Sequence, residues 1–201
     1  MVPSKARSSP SANSIAWSLD STRIFYAAGP VSVVDLTTGA ITALTAPSGF
    51  GSDFSVSHDP VAEKIAYLRV KQDVQTARQG GSLIVIDTST LTPQIDNAPQ
   101  GVELYATSAH FGPDSAVVIS TSDSIYLFDT DYGSSVQVLN GLAFAPVTAF
   151  NPPGDMIAYT GAGTVDPAVT QIFTVPRAGG ETKQLTNHTD GTIADLVWLP
   201  G

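Results

Sequence analysis

The sequence predicts an all-β fold made of repeated four-stranded antiparallel units, and three observations predict it. Val, Ile, Thr and aromatic residues are spread evenly and punctuated by 17 Gly and 14 Pro, a composition that favours short strands and turns over helices. No stretch carries a convincing 3.6-residue period with caps. The chain also closes by starting its own pattern again. Leu196-Val197-Trp198-Leu199-Pro200-Gly201 echoes Ile15-Ala16-Trp17-Ser18-Leu19-Asp20, which marks internal repeats.

The units follow in order. Ile15–Trp17 reads as a short strand, Ser18–Thr22 as a turn and Arg23–Tyr26 as a second strand, turned at Gly29-Pro30. Val31–Asp35 is a third strand, and Thr37-Thr38-Gly39 turns it into Ala40–Thr45. Four short strands joined by tight turns make an antiparallel meander. A second copy runs through Phe54–Ser57, Lys64–Leu68, Ser82–Asp87 and Thr92–Asp96. A third has Ala109–Phe111, Ala116–Ser120, Ser124–Asp129 and Val136–Leu139, and a fourth Val147–Phe150, Met156–Thr160, Gln171–Val175 and Thr182–Thr186. The same offset separates Trp17 from Ile24, Phe111 from Val118 and Phe150 from Ile157. The third strand ends in Asp35, Asp87 and Asp129 in the first three copies, with Pro176 there in the fourth.

Four-stranded copies roughly 40–55 residues apart are the signature of β-propeller blades. The expected blades span about 14–46, 54–98, 104–140 and 145–188, with Ile193–Leu199 left over as the first strand of a fifth. Leu83–Ile86, Ala116–Ile119 and Ile125–Phe128 are continuous apolar runs, as strands need when other blades cover both faces. The fourth strands alternate polar and apolar, which suits an outer edge. A closed ring has no spare strand, and an unpaired strand invites another chain. The favoured expectation is a segment of a six- to eight-bladed propeller. An odd closure in a small ring, and two chains completing each other's ring, stay open.

Composition limits the partners. The chain has 201 residues, 42% hydrophobic and 13% charged, so it can bury a core and is not a disordered coil. Its net charge of −9 comes from singly scattered acids and serves solubility, and its nine Lys and Arg cannot make a phosphate-tracking stripe. No nucleic-acid partner is expected. Cysteine is absent, which removes disulfides and Cys-based zinc sites. No run reaches the roughly 18 apolar residues of a membrane helix, so no membrane insertion is expected. Residues 1–13 hold Lys5 and Arg7 without an apolar run behind them. They read as a flexible lead-in or a cloning remnant, and any export signal would have been removed.

The repeats resemble the TolB-type, WD-like (PD-repeat) family of β-propellers. The family's blades run aromatic-Ser-Pro-Asp-Gly, then Ile-Ala-Phe/Tyr, then Ile-Tyr-x-x-Asp, then a Gly-Gly turn and Leu-Thr. The first motif appears as Trp17-Ser18-Leu19-Asp20, Phe111-Gly112-Pro113-Asp114, Phe150-Asn151-Pro152-Pro153-Gly154 and Trp198-Leu199-Pro200-Gly201. Ile65-Ala66-Tyr67 and Ile157-Ala158-Tyr159 match the second, Ile125–Asp129 the third, and Gly179-Gly180 with Leu185-Thr186 the last. The resemblance covers nearly everything from residue 14 onward. It implies a propeller and an extracytoplasmic (periplasmic or secreted) location, and says little about activity.

Chemistry could sit on enlarged loops between second and third strands, Arg69–Gly80 and Gly161–Val169. Arg69, Lys71 and Arg78, with Asp73, could hold an anionic ligand or an acidic partner, although a solvated long hairpin is the ordinary reading. His58, His110 and His188 would need carboxylates converging in space to act as ligands or bases. Asp129–Gly133 lacks the later ligands of a calcium loop. Asp20, Asp59, Asp114 and Asp155 recur at equivalent turns and read as scaffold, and Asn187-His188-Thr189 is a glycosylation sequon by pattern alone. No nucleophile elbow, phosphate loop or His-Glu-x-x-His occurs.

The expected function is a non-catalytic module that binds a protein, peptide or glycan across one loop-rich face. Self-association through the terminal strand is a further expectation, and no cofactor is expected. The alternative is the accessory propeller of a prolyl-oligopeptidase-like serine hydrolase, with its nucleophile elbow elsewhere. A lactonase-type enzyme with a channel metal ranks last, because the inner strands supply only Ser14, Ser55, Ser57, His110, Thr148 and Asp195.

Overall fold

A computed structural model describes residues 14–46, 52–72, 79–90, 93–95, 105–130 and 134–199. Every regular element among them is a strand. The first blade holds β1 (Ser14–Trp17), β2 (Arg23–Ala27), β3 (Val31–Asp35) and β4 (Ile41–Ala43). The second holds β5 (Asp53–His58), β6 (Lys64–Gln72), β7 (Gln79–Asp87) and β8 (Pro93–Ile95). The third has β9 (Ser108–Phe111), β10 (Val117–Ser120), β11 (Ile125–Asp129) and β12 (Ser134–Leu139). The fourth has β13 (Thr148–Phe150), β14 (Met156–Ala162), β15 (Thr170–Pro176) and β16 (Lys183–Gln184). Each blade is a four-stranded antiparallel meander, paired in sequence order.

The apolar runs work as their pattern requires. Along a strand, successive side chains point to opposite faces. In the second blade Ile65, Tyr67, Ile84 and Ile86 join Phe25, Ala27 and Val31 of the first. Their neighbours Ala66, Leu68, Leu83 and Val85 pack instead on Val117, Ile119 and Phe128 of the third. Val118, Ile125 and Val138 then meet Ile157, Tyr159, Phe173 and Val175 of the fourth. Three interblade cores therefore repeat one design. Two ion pairs bridge blades at their rims, Arg23–Glu63 at 2.9 Å and Arg177–Asp114 at 2.5 Å. Partly exposed, they contribute little.

Turn aspartates hold the hairpins. Asp20 accepts from the Ser18 hydroxyl at 2.6 Å and the Thr22 amide at 3.0 Å. Those bonds, the Ser18 one foremost, bring its carboxyl down to about 2. Asp35 and Asp87 take the corresponding bonds from Thr38 and Ser89 and are likewise lowered. The Leu-Thr motif also has a mechanical role. Thr45 Oγ1 accepts the Val31 amide at 2.8 Å, and Thr186 Oγ1 the Ile172 amide at 2.9 Å.

Three features differ from the sequence expectation. Both ends of the enlarged Arg69–Gly80 segment are ladder, with Arg69 opposite Ser82, Lys71 opposite Gly80 and Gln72 opposite Gln79. A Cβ on Gly81 would lie 2.6 Å from Leu68 Cβ and 3.0 Å from the Phe54 ring. Gly81→Ala should therefore cost about 1–3 kcal/mol through overpacking, read as a lower urea midpoint, and an unchanged midpoint would show that this contact relaxes freely.

Second, Ile193–Leu199 forms no strand among the described residues. Blades here are separate sheets, so an inner strand pairs only with its own blade's second strand, and no such strand stands beside this segment. Third, Trp17, which its place in the repeat would bury between blades, is 55% exposed, because no blade among the described residues covers the outer face of the first.

Candidate functional site: the axial cavity

The inner strands β1, β5 and β9, the residues leading into β13, and Ala194–Asp195 surround a cavity of about 860 Å³. Each inner strand has one edge turned toward this space, where its main-chain N–H groups lack ladder partners. Serine hydroxyls supply them. Ser14 Oγ accepts the Val56 amide at 2.6 Å, Ser55 Oγ the Ala109 amide at 2.9 Å and Ser57 Oγ the Phe111 amide at 3.1 Å. Each bond runs from one blade to the next. Ser120 and Thr148 continue the series with hydroxyls 3.4 Å apart.

Ser55 reaches its partner through a β-bulge. The β5–β6 register shifts between Phe54 and Ser57, and Ser55 adopts φ 56°. A bulge turns a side chain out of its alternation, here sideways onto the β9 main chain. The hydroxyls that could have ligated a channel metal are thus committed to joining blades. No cluster of three or more His, Cys, Asp or Glu stands in ligating arrangement among the described residues.

Ser57, His110 and Asp195 line both this cavity and a second one of about 530 Å³, flanked by Phe111–Pro113 and Phe150–Pro152. They lie where the two cavities adjoin. Burial lowers the His110 imidazole below its usual value of 6.5, and the Asp195 carboxylate opposes that shift. In the unfolded chain His110 takes up a proton more readily, so stability falls as pH drops from about 6.5 toward the lowered folded value. His110→Gln should flatten the melting-temperature profile in that acidic window. A profile identical to the wild type would place the pH dependence elsewhere.

Two residues that line the cavity each hold a buried polar atom with no hydrogen-bond partner, His58 Nε2 and Ser108 Oγ. The His58 ring is stacked on Phe25 at 5.4 Å between centroids, which fixes its orientation. No sequence motif singled out Ser108.

The sequence-derived binding set is split. Arg69 forms a bidentate pair with Asp53, Nε to Oδ1 at 2.8 Å and Nη2 to Oδ2 at 3.1 Å. Asp53 is fully buried and also receives the Thr45 hydroxyl. Arg69 therefore anchors the hairpin, and its reversal would lower the melting temperature, contrary to the expectation for a purely surface cation. Lys71 lies in β6 opposite Gly80. Asp73 and Arg78 fall outside the described residues, as do Asp131–Gly133. Asn187 is exposed and accepts from Gln184 Nε2 at 3.0 Å.

Sequence reasoning also missed Gln171. Buried to 3% exposure, it accepts the Thr186 hydroxyl at 2.8 Å and the His188 amide at 2.9 Å, and donates to the His188 carbonyl at 2.8 Å. It clamps the segment leaving the fourth blade. No motif marks it.

The chain superposes on TolB from Acinetobacter baumannii with a TM-score of 0.60 at 20% identity, covering 86% of this chain and 43% of that one. The fold is a TolB-like, WD-like β-propeller. The propeller also matches a chain of the mitotic checkpoint complex, with a TM-score of 0.65, 18% identity and 90% and 53% coverage. A chain of a nidogen/laminin complex gives 0.61 at 14% identity, with 86% and 64% coverage. The propeller arc thus spans about half the length of such chains. No family model matches the sequence, and no curated relative does.

Proposed function

We propose that this propeller is a non-catalytic binding module whose axial cavity receives a protein, peptide or glycan ligand. One observation carries the reading. His58 Nε2 and Ser108 Oγ, in residues that line the cavity, are buried without partners, and an unmet buried polar group costs about 1–3 kcal/mol. A ligand in the cavity that draws the Ser108 side chain round to its own hydrogen-bonding groups would recover part of that cost. Similar propellers have been solved in a mitotic checkpoint complex and a nidogen/laminin complex, which supports a protein as the first partner to test.

Lys71 of β6, with Asp73 and Arg78 in the sequence between β6 and β7, are proposed as partner contacts, beside the Arg69–Asp53 pair. An extracytoplasmic location belongs to the same proposal and rests on the TolB-type motifs. Peptide and glycan arrays probed with the wild type and with His58→Phe/Ser108→Ala test the cavity. Ligands found with the wild type should bind the variant at least tenfold more weakly. Equal binding by a folded variant would move the site out of the cavity.

A further inference from the structure

We infer that the loops of the fourth blade carry a second ligand site, separate from the axial cavity, which takes one sugar ring. This goes beyond the cavity reading and does not depend on it.

Two stretches build the site. The enlarged connection between β14 and β15 folds back on itself. Gly163 N donates to Val169 O at 3.0 Å, Val169 N to Asp166 O at 3.2 Å and Ala168 N to Asp166 Oδ1 at 2.9 Å. A Cβ on Gly163 would lie 2.7 Å from the Asp166 carbonyl oxygen, so the loop closes this tightly only on a glycine. The second stretch, Asn187-His188-Thr189, follows β16. Gln171 of β15, itself 3% exposed, holds it through two bonds to the main chain of His188. Between the stretches lies a cavity of about 290 Å³. That is the lower end of the range for ligand pockets, about 300–1,000 Å³, and suits a single ring.

The lining side chains are held in place and keep hydrogen-bonding capacity in reserve. Thr164 Oγ1 donates to Gln184 Oε1 at 3.0 Å, and Gln184 Nε2 to Asn187 Oδ1 at 3.0 Å. This chain of bonds orients the Asn187 amide and leaves its NH2 group unspent. Asp166 gives Oδ1 to the Ala168 amide and keeps Oδ2 as an acceptor. The exposed His188 imidazole makes no hydrogen bond among the described residues. Val165 also lines the cavity and is 93% exposed.

These groups select the ligand. A hydroxyl both donates and accepts, so neighbouring sugar hydroxyls can give to the Asp166 carboxylate and accept from the Asn187 amide. The C–H face of the ring can then cover Val165. An anion would meet the Asp166 charge, with no Lys or Arg among the lining residues to offset it. A metal ion would find no group of three His, Cys, Asp or Glu among the described residues.

Saturation-transfer NMR on the 201-residue protein tests this. The probes are the methyl glycosides of glucose, galactose, mannose and N-acetylglucosamine, with inorganic phosphate and glycine as non-sugar comparisons. At least one glycoside should bind. Asp166→Asn and, separately, Asn187→Asp keep an acceptor for Ala168 and for Gln184, and each should weaken that binding at least tenfold with an unchanged melting temperature. His58→Phe/Ser108→Ala, which tests the axial cavity, should leave it intact. The inference is overturned if no glycoside binds, or if binding survives both loop variants. Loss of the sugar only in the cavity variant overturns it too, by moving the sugar to the axial cavity. Phosphate or glycine bound in place of a sugar overturns the ligand class.

Discussion

Phe128→Ala lowers the stability of the fold by about 3–5 kcal/mol, the largest loss expected from any single truncation here. Phe128 is 1% exposed and lies in the core between the second and third blades, among Leu68, Leu83, Val85, Val117 and Ile119. These neighbours sit on the central strands β6, β7 and β10, and Phe128 itself on β11. A ring-sized void among them cannot be closed by shifting one loop. Urea unfolding with a lower midpoint and an unchanged slope is the expected result. Trp17→Ala is its control. Trp17 is larger but 55% exposed, so its loss should be about 1 kcal/mol or less. If both substitutions cost the same, Trp17 is covered in solution and the first blade's outer face is not open.

Asp53→Ala is expected to cost about 3 kcal/mol, because removing one partner of a buried ion pair strands the other. Asp53 is fully buried, whereas Arg69 keeps 33% of its side chain exposed. Water can therefore reach the stranded guanidinium, which holds the cost to the lower end of the range. Asp53 also accepts the Thr45 hydroxyl, and its amide donates to Gly29 at 2.6 Å. One residue thus joins the end of the first blade to the start and second strand of the next. A double-mutant cycle with Arg69→Leu separates the ion pair from the rest. Additive losses would mean that the two side chains act independently.

The two predictions separate what each kind of pattern can reveal. Phe128 was legible in the sequence, since Ile125–Phe128 is a continuous apolar run and such runs require cover on both faces. The blade boundaries were legible for the same reason, with turn aspartates and Gly–Pro turns marking each hairpin. Asp53 was not. It carries no motif, and its partner Arg69 looked like a surface cation on a long loop until the β6–β7 ladder placed it in a strand. Ser108 was equally silent and His58 stood out only as one of three histidines, because convergence on a cavity depends on which strands the arc brings together.

The sequence alone determined the four blades, their strand order and the alternation that builds three interblade cores. These are local and periodic properties, written in spacings that repeat from copy to copy. Only the tertiary structure decided that the inner-strand serines join neighbouring blades, that His110 and Asp195 line the same two cavities, and that Trp17 and Val197 are exposed. Those facts depend on distances between residues far apart in the chain. A repeat pattern reports what each blade is like, and only the assembled arc shows which faces the blades leave uncovered.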